Sequence, residues 1–206
     1  MKQPLGVILA GGLARRMGGG DKGRLLLQGQ SMMARVVERV EPQVAQVGLN
    51  ANGDPDRFCD LGLPVFPDTI NGFAGPLAGV LAGLDWAFGQ GGDHIVTVAA
   101  DTPFFPCDLV PQLILASEGM DAPLALAATK DPNGVSMRQP TFGLWPVALR
   151  EDLRGHLQNG LRKIVQWTEM HNAREAPFSS TPFDPFFNVN TPQDLETANA
   201  LLKDQV

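Results

Sequence analysis

Leu5-Gly6-Val7-Ile8-Leu9-Ala10-Gly11-Gly12-Leu13-Ala14-Arg15-Arg16-Met17-Gly18-Gly19-Gly20-Asp21-Lys22 is the stretch that decides how this chain is organised. Leu5 to Ala10 is apolar on consecutive positions, as a strand buried on both faces must be. The run stops at a glycine pair, and a glycine-rich basic loop follows. A strand feeding a loop of backbone N–H groups, with Arg and Lys among them, is how an α/β protein holds polyphosphate. Four of the sixteen Lys and Arg residues fall between Arg15 and Arg24, against one acid, Asp21, in a chain of net charge −6. A positive loop on an acidic protein suits a small anion. Nucleic acid would want a basic face across the whole domain.

Outward from this strand, strand and helix signals alternate, the mark of a layered α/β sheet. Val44 to Ala51, Pro64 to Pro67 and His94 to Ala100 are further short apolar runs. Ser31 to Val40 is predicted to be a helix, because Met33, Val36, Val37 and Val40 recur at helical spacing. Gly75-Pro76 opens another that runs to about Phe88, with proline where its missing N–H costs nothing. The small residues Ala78, Gly79, Ala82 and Gly83 on it predict close packing against sheet or ligand. In the last third, Ala122 to Thr129 and Thr141 to Trp145 are predicted strands, and Val147 to Leu157 and Leu161 to Met170 predicted helices. Thr191-Pro192-Gln193-Asp194 caps a final helix, with Asp194 three residues after the threonine.

At 206 residues and 44% hydrophobic content the chain fits one domain, residues 1–206, with a sizeable core. No apolar run approaches the ~18 residues of a membrane span, and no cleaved signal pattern is present. Cys59 and Cys107 are widely separated and have no metal-site spacing, so they are expected to be free thiols in the cytoplasm. His94, His156 and His171 are expected to be structural.

Gly18-Gly19-Gly20-Asp21-Lys22-Gly23 satisfies G-x-G-x-x-G literally, but the dinucleotide fingerprint needs its first glycine directly after the strand and its third opening a helix. A Walker loop fails too, since Gly23 follows Lys22 where Ser or Thr should stand. Asp101 ends the His94–Ala100 run and so projects from the carboxyl end of a buried strand, where open α/β sheets bind ligands. A carboxylate there suits Mg²⁺, which takes one or two carboxylates plus phosphate oxygens; capping the Thr102-Pro103 turn is the plainer alternative. Asp68 ends the Pro64–Pro67 run, as a metal ligand, a nucleotide contact or a turn former. Asn50, at the end of its own strand, carries both a donor and an acceptor. Lys22 and Arg16 are the candidate phosphate clamp, one a mobile point charge and the other a bidentate fork.

Leu9-Ala10-Gly11-Gly12, then Arg16-Met17-Gly18-Gly19 and Asp21-Lys22, resembles the molybdenum cofactor guanylyltransferase family. Leu49-Asn50-Ala51-Asn52, Pro67-Asp68, Gly75-Pro76-Leu77-Ala78-Gly79, Asp101-Thr102-Pro103 and Asn188-Val189-Asn190-Thr191-Pro192 are similar to that family's landmarks, in its order, across nearly the whole chain. The resemblance implies a three-layer α/β/α Rossmann-like nucleotidyltransferase fold with a mostly parallel sheet. Its N-terminal part would bind nucleotide and its C-terminal part molybdopterin. The implied reaction moves GMP from GTP to the terminal phosphate of molybdenum-molybdopterin and releases pyrophosphate, with Mg²⁺ as cofactor. Arg16, Lys22 and Asp101 are then catalytic, and Asp101 holds the metal. Leu9, Ala10, Gly11, Gly12, Lys22, Asn50, Asp68 and Asp101 contact GTP. Arg138, Asn188 and Asn190 contact molybdopterin.

No side-chain nucleophile is required, because the attacking phosphate is already ionised near neutral pH. Relatives often carry His-Pro-Thr where Gln139-Pro140-Thr141 stands here. The rivals are a CTP-dependent molybdopterin cytidylyltransferase, a sugar-phosphate nucleotidyltransferase, and a non-catalytic cofactor carrier. The implied partners beyond the substrates are transient ones, molybdenum insertion proteins and molybdoenzyme chaperones, around a monomer that binds neither nucleic acid nor membrane.

Overall fold

A computed structural model describes residues 2–10, 22–70, 75–131 and 133–203. In chain order its strands are β1 (Leu5–Leu9), β2 (Leu26–Leu27), β3 (Gln30–Ser31), β4 (Val47–Asn50), β5 (Val65–Phe66), β6 (His94–Ala99), β7 (Ala125–Lys130), β8 (Ser136–Pro146) and β9 (Arg174–Pro177). The helices are α1 (Met32–Val40), α2 (Pro76–Gly89), α3 (Leu109–Ala116), α4 (Arg150–Gln158), α5 (Ile164–Met170) and α6 (Pro192–Lys203). Seven strands form one sheet in the order β5-β4-β1-β6-β8-β7-β9, and β2 with β3 makes a separate hairpin. Among the described residues only β8 runs against its neighbours in the large sheet; the other pairings are parallel.

Side chains alternate across β1 as the pleat requires. Leu5 and Val7 join α2 residues Leu81 and Leu84 and α4–α5 residues Leu153 and Trp167 in one core. Ile8 joins α1 residues Val36 and Val40 and α3 residues Leu109 and Leu113 in the core on the opposite face. Each fully buried Leu, Ile or Val contributes about 1.5–3 kcal/mol. The result is three layers, helices on both faces of a mostly parallel sheet. A smaller cluster of Leu27, Met32, Phe104, Val189 and Ala198 lays α6 over the hairpin.

The small-residue face of α2 does two jobs along its length. A Cβ on Gly83 would stand 2.9 Å from Val7 Cγ2 and 3.0 Å from Ile95 Cδ1, so the helix lies close on the sheet there. One turn earlier Gly79 approaches the ends of β1 and β4 instead, as described below. Gly75, with φ +71°, sits in a conformation that L side chains rarely adopt and starts the helix there. At the other end of the chain the predicted cap is present: Asp194 N donates to Thr191 Oγ1 at 3.2 Å, and Thr191 N donates back to Asp194 Oδ2 at 2.8 Å.

Three features depart from the sequence reading. Leu109–Ala116 is a helix although Pro111 interrupts its apolar run; proline falls in the first turn, where its missing N–H leaves no bond unmade. Strand β9, Arg-Glu-Ala-Pro, is too polar to announce itself and forms as an edge strand against β7. Strand β8 begins at Ser136 rather than Thr141. Its register with β7 jumps from Gly143 opposite Leu126 to Gln139 opposite Ala127, so Pro140, Thr141 and Phe142 form a bulge that absorbs the proline.

Two expectations about stability follow. Trp145 and Thr97 are fully buried, and Trp145 Nε1 donates to Thr97 Oγ1 at 2.8 Å. Thr97→Val keeps the shape but orphans the indole N–H, and should cost about 1–3 kcal/mol in urea unfolding. At the sheet edge, the Ser136 hydroxyl and the Arg138 guanidinium hold Glu175 below its ordinary pKa of 4.5. A depressed carboxylate stabilises the fold above its unfolded pKa and loses that contribution as pH falls through the folded one. Glu175→Gln should therefore lower stability by about 1 kcal/mol at neutral pH and by progressively less below about pH 4, in unfolding curves collected across that range.

Candidate functional site

The four parallel strands β5, β4, β1 and β6 end side by side, and each delivers polar or backbone groups to the same edge. Backbone bonds continue past the strand ends: Ala10 N donates to Asn50 O at 2.9 Å, Ala51 N to Phe66 O at 3.1 Å and Ala100 N to Leu9 O at 3.1 Å. Beyond them opens a cavity of about 390 Å³, of a size suited to a small-molecule ligand. Leu9, Asn50, Asp68 and Asp101 line it, all four predicted from sequence, together with Asn188. Among the described residues Asn52, Gly75, Pro76, Gly79, Ala99 and Thr141 line it as well.

Asn188 comes from the far end of the chain. It reaches the cavity because Val189 N donates to Asp101 O at 2.9 Å, which pins the segment before α6 against the end of β6. Thr141 reaches it from the β8 bulge. The cavity is therefore closed from both halves of the sequence.

On one wall the polar groups form a closed arrangement. Asn50 is 3% exposed, so its amide must find partners within the protein. Its Nδ2 donates to Phe66 O at 3.3 Å and to Asp68 Oδ1 at 3.1 Å. Both amide hydrogens are thereby spent, and Oδ1 lies beside Gly79, where a Cβ would stand only 2.4 Å away. Asn52 Nδ2 donates to Asp68 Oδ2 at 2.8 Å, and Asp68 N donates to Asn52 Oδ1 at 2.9 Å. Asp68 thus has an amide N–H on each carboxylate oxygen, and a carboxylate can accept more than one donor per oxygen. Asp101 stands on the wall formed by β6, with Thr102 Oγ1 donating to its Oδ1 at 3.4 Å.

Several predicted residues are placed elsewhere. Ala10 does not line the cavity; its N–H closes the ladder to Asn50. The Asn190 backbone N–H donates to Asp194 Oδ2 at 2.9 Å within the cap of α6, and Asn190 is not among the described residues that line the cavity. Arg138 is turned to two carboxylates, donating to Glu175 at 2.7 Å and to Glu169 at 2.9 Å, and it lines no part of the cavity. Gly11, Gly12 and Arg16 lie outside the described residues. Lys22 opens a short 3-10 turn, Lys22–Arg24, and its side chain is likewise outside what is described.

No histidine lines the cavity. His94 starts β6 at the opposite edge of the sheet, and burial lowers its pKa. His171 sits 2.8 Å from Asp152, and His156 faces the same carboxylate. Both cysteines are free and exposed, as expected. Among the described residues no helix is long and apolar enough to cross a membrane, and no cluster of three or more His, Cys, Asp and Glu could hold a metal by itself.

A cavity at the carboxyl edge of a parallel sheet, with carboxylates from two strand ends, is the arrangement of a nucleotide site. The family model described as the MobA-like NTP transferase domain matches residues 6–174. The chain belongs to that family. It is 48% identical over 199 residues to the molybdenum cofactor guanylyltransferase of Bradyrhizobium sp. (strain ORS 278), covering 95% of this chain and 92% of that protein. The protein of that name from Mesorhizobium japonicum is 45% identical, over 96% and 95% of the two chains. The crystal structure of molybdopterin-guanine dinucleotide biosynthesis protein A from Archaeoglobus fulgidus superposes with a TM-score of 0.69, over 97% of this chain and 99% of that one, at 21% identity. A 4-diphosphocytidyl-2C-methyl-D-erythritol synthase structure from Anaerococcus prevotii gives a TM-score of 0.75, over 98% and 96% of the chains, at 14% identity. The MobA-like family thus shares its fold with enzymes of different substrates, and fold alone does not choose the base.

The roles missed in the sequence are those of Asn52 and Gly79. Asn52 stands two residues after Asn50, the spacing that puts both side chains on one side of an extended segment. Gly79 stood among small residues that could equally have served the sheet. A matched pair of substitutions separates its two neighbours. Gly79→Ala should weaken nucleoside triphosphate binding about tenfold in calorimetry by displacing the Asn50 amide. Gly83→Ala should instead lower stability by about 1–3 kcal/mol through overpacking and leave that affinity unchanged.

Proposed function

We propose that this protein transfers GMP from GTP to the terminal phosphate of molybdenum-molybdopterin, forming the guanine dinucleotide cofactor and releasing pyrophosphate. The observation that carries the choice of base is the fixed orientation of Asn50. With both amide hydrogens committed to Phe66 O and Asp68, Asn50 can offer the cavity only its Oδ1 acceptor. Asp68 beside it offers carboxylate acceptors. Guanine presents adjacent N1–H and N2–H₂ donors to such a pair. Cytosine presents N3 and O2 acceptors on the same edge, and acceptor against acceptor leaves buried polar groups unpaired. The names of the curated relatives support the same substrate.

The two carboxylates divide the work. Asp68 already receives an amide N–H on each oxygen, an environment suited to hydrogen bonding a base. Asp101 ends β6 on the separate wall, and one carboxylate together with phosphate oxygens is what Mg²⁺ accepts. Its donor chemistry therefore fits the metal, which when bound supplies charge neutralisation of the phosphates. Lys22 and Arg16 are assigned to hold the triphosphate. An oxygen of the molybdopterin phosphate forms a bond to the α-phosphorus, and the bond to the β-phosphate bridging oxygen breaks. The transfer needs positioning and charge stabilisation and no covalent intermediate, consistent with a cavity wall that carries no Ser–His or Cys–His pair among the described residues. Asn188, pinned next to Asp101, is assigned to the molybdopterin side. Exposed free thiols at Cys59 and Cys107 suit a reducing compartment, and we place the reaction in the cytoplasm.

The test is reconstitution with molybdopterin, Mg²⁺ and either GTP or CTP, measuring pyrophosphate and the dinucleotide product. Turnover is expected with GTP, and preference for CTP would overturn the guanine assignment. Asp101→Asn should lower metal-dependent turnover by about 10²-fold or more with an unchanged thermal midpoint; near-normal activity would remove Asp101 from the metal site.

A further inference from the structure

Asn52 is an exposed residue that behaves like a buried one. An exposed asparagine can satisfy its amide with water, yet this one directs both ends at Asp68, donating to its carboxylate at 2.8 Å and accepting from its backbone N–H at 2.9 Å. The β4–β5 pairing ends at Asn50 opposite Phe66, with one further backbone bond from Ala51 N to Phe66 O. The Asn52 side chain then supplies the next rung. Its amide orientation is set from both sides, since a flip would point Oδ1 at a carboxylate and Nδ2 at an N–H. The Asn52 carbonyl in turn accepts a short hydrogen bond from Arg57, whose guanidinium stacks 4.8 Å from the Phe58 ring centroid.

On the other side of Asp68 the chain is held as well. Thr69 Oγ1 donates to Asp85 Oδ2 at 2.8 Å, and Asp85 pairs with Arg154 at 2.6 Å. Asp68 is therefore flanked by a clasp before it and an anchor after it. The Thr69 anchor does not touch the carboxylate; Asn50 Nδ2 holds Oδ1 at 3.1 Å, and the Asn52 clasp holds Oδ2 and the backbone N–H, so the clasp fixes the second oxygen and with it the direction in which the remaining lone pairs face. Without it, the Asp68 carboxylate would keep only its bond from Asn50 Nδ2 and could pivot about χ1 and χ2 around that single contact, and the acceptor pair formed with Asn50 would lose its spacing.

We propose that Asn52 is a positioning residue that sets base selectivity, by locking the Asp68 carboxylate in register with Asn50 Oδ1. This rests on the reading that Asp68 accepts hydrogen bonds from guanine. The test uses the full-length protein with molybdopterin and Mg²⁺, and compares GTP, inosine triphosphate and CTP; the inosine base keeps N1–H and lacks the 2-amino group. For Asn52→Ala we expect KM for GTP to rise about tenfold with kcat within about twofold, because ground-state and transition-state binding are lost together. The preference for GTP over inosine triphosphate should shrink in parallel. Asn52→Asp should be worse than Asn52→Ala, since it sets a second carboxylate against Asp68. Both variants should unfold within a few degrees of the parent, as the residue is exposed. A KM and a GTP-to-inosine triphosphate ratio within twofold of the parent in Asn52→Ala would overturn the proposal, as would a loss confined to kcat. Failure of the underlying reading looks different: the unsubstituted protein itself would then prefer CTP or show no turnover with GTP.

Discussion

Parallel pairing of β1 with β4 on one side and β6 on the other is the constraint on which everything else in this protein rests. Parallel strands run in one direction, so their carboxyl ends and the residues just beyond them emerge along a single edge. Leu9, Asn50, Asp68 and Asp101 are separated by up to ninety-two positions in the sequence and share one cavity for that reason alone. Both faces of these strands are covered by helices, and the apolar side chains that cover them leave the edge as the place where polar groups can collect. The last backbone bonds, from Ala10 to Asn50, Ala51 to Phe66 and Ala100 to Leu9, carry the sheet's rigidity out to the residues that line the cavity.

Helix α2 shows how the same packing physics serves stability and function within two turns. Gly83 lets the helix approach Val7 and Ile95, while Gly79 makes room for Leu9 and for the amide oxygen of Asn50. Both need a missing Cβ, but for different neighbours. The antiparallel strand β8 makes a second accommodation. Its bulge at Pro140, Thr141 and Phe142 puts Phe142 into the core beside Phe105 and Phe186 and leaves Thr141 on the cavity wall. A proline that cannot join a ladder thus marks the place where the strand contributes to the site.

Much of this was legible beforehand. The β1 run, the helix entries at Ser31, Gly75-Pro76 and Thr191-Pro192, and the strand ends at Asn50 and Asp101 all carry local signals: consecutive apolar positions, capping residues, and polar residues where an apolar run stops. Helix α3 and strand β9 were not legible, because Pro111 and a polar edge sequence contradict the states those segments adopt once packed against the sheet. Arg138 shows another limit of local pattern. A cation near the right edge suggested an anion contact, but Glu169 and Glu175, brought in by α5 and β9, are its partners. Charge pairing between segments distant in sequence has no local signature.

By itself the sequence determined the α/β class, the strand ends at which polar residues gather, and membership of a nucleotidyltransferase family, because these follow from short-range pattern and motif spacing. Only the tertiary structure decided which polar residues face the ligand and which face one another. Asn50 became a pure acceptor toward the cavity, Asn52 a clasp on Asp68, and Asn190 part of a helix cap. The first two outcomes depend on hydrogen-bond partners sixteen or more positions along the chain, and the third on Asp194, four residues on. A side-chain amide carries both a donor and an acceptor, and only its surroundings settle which of the two is left for a ligand.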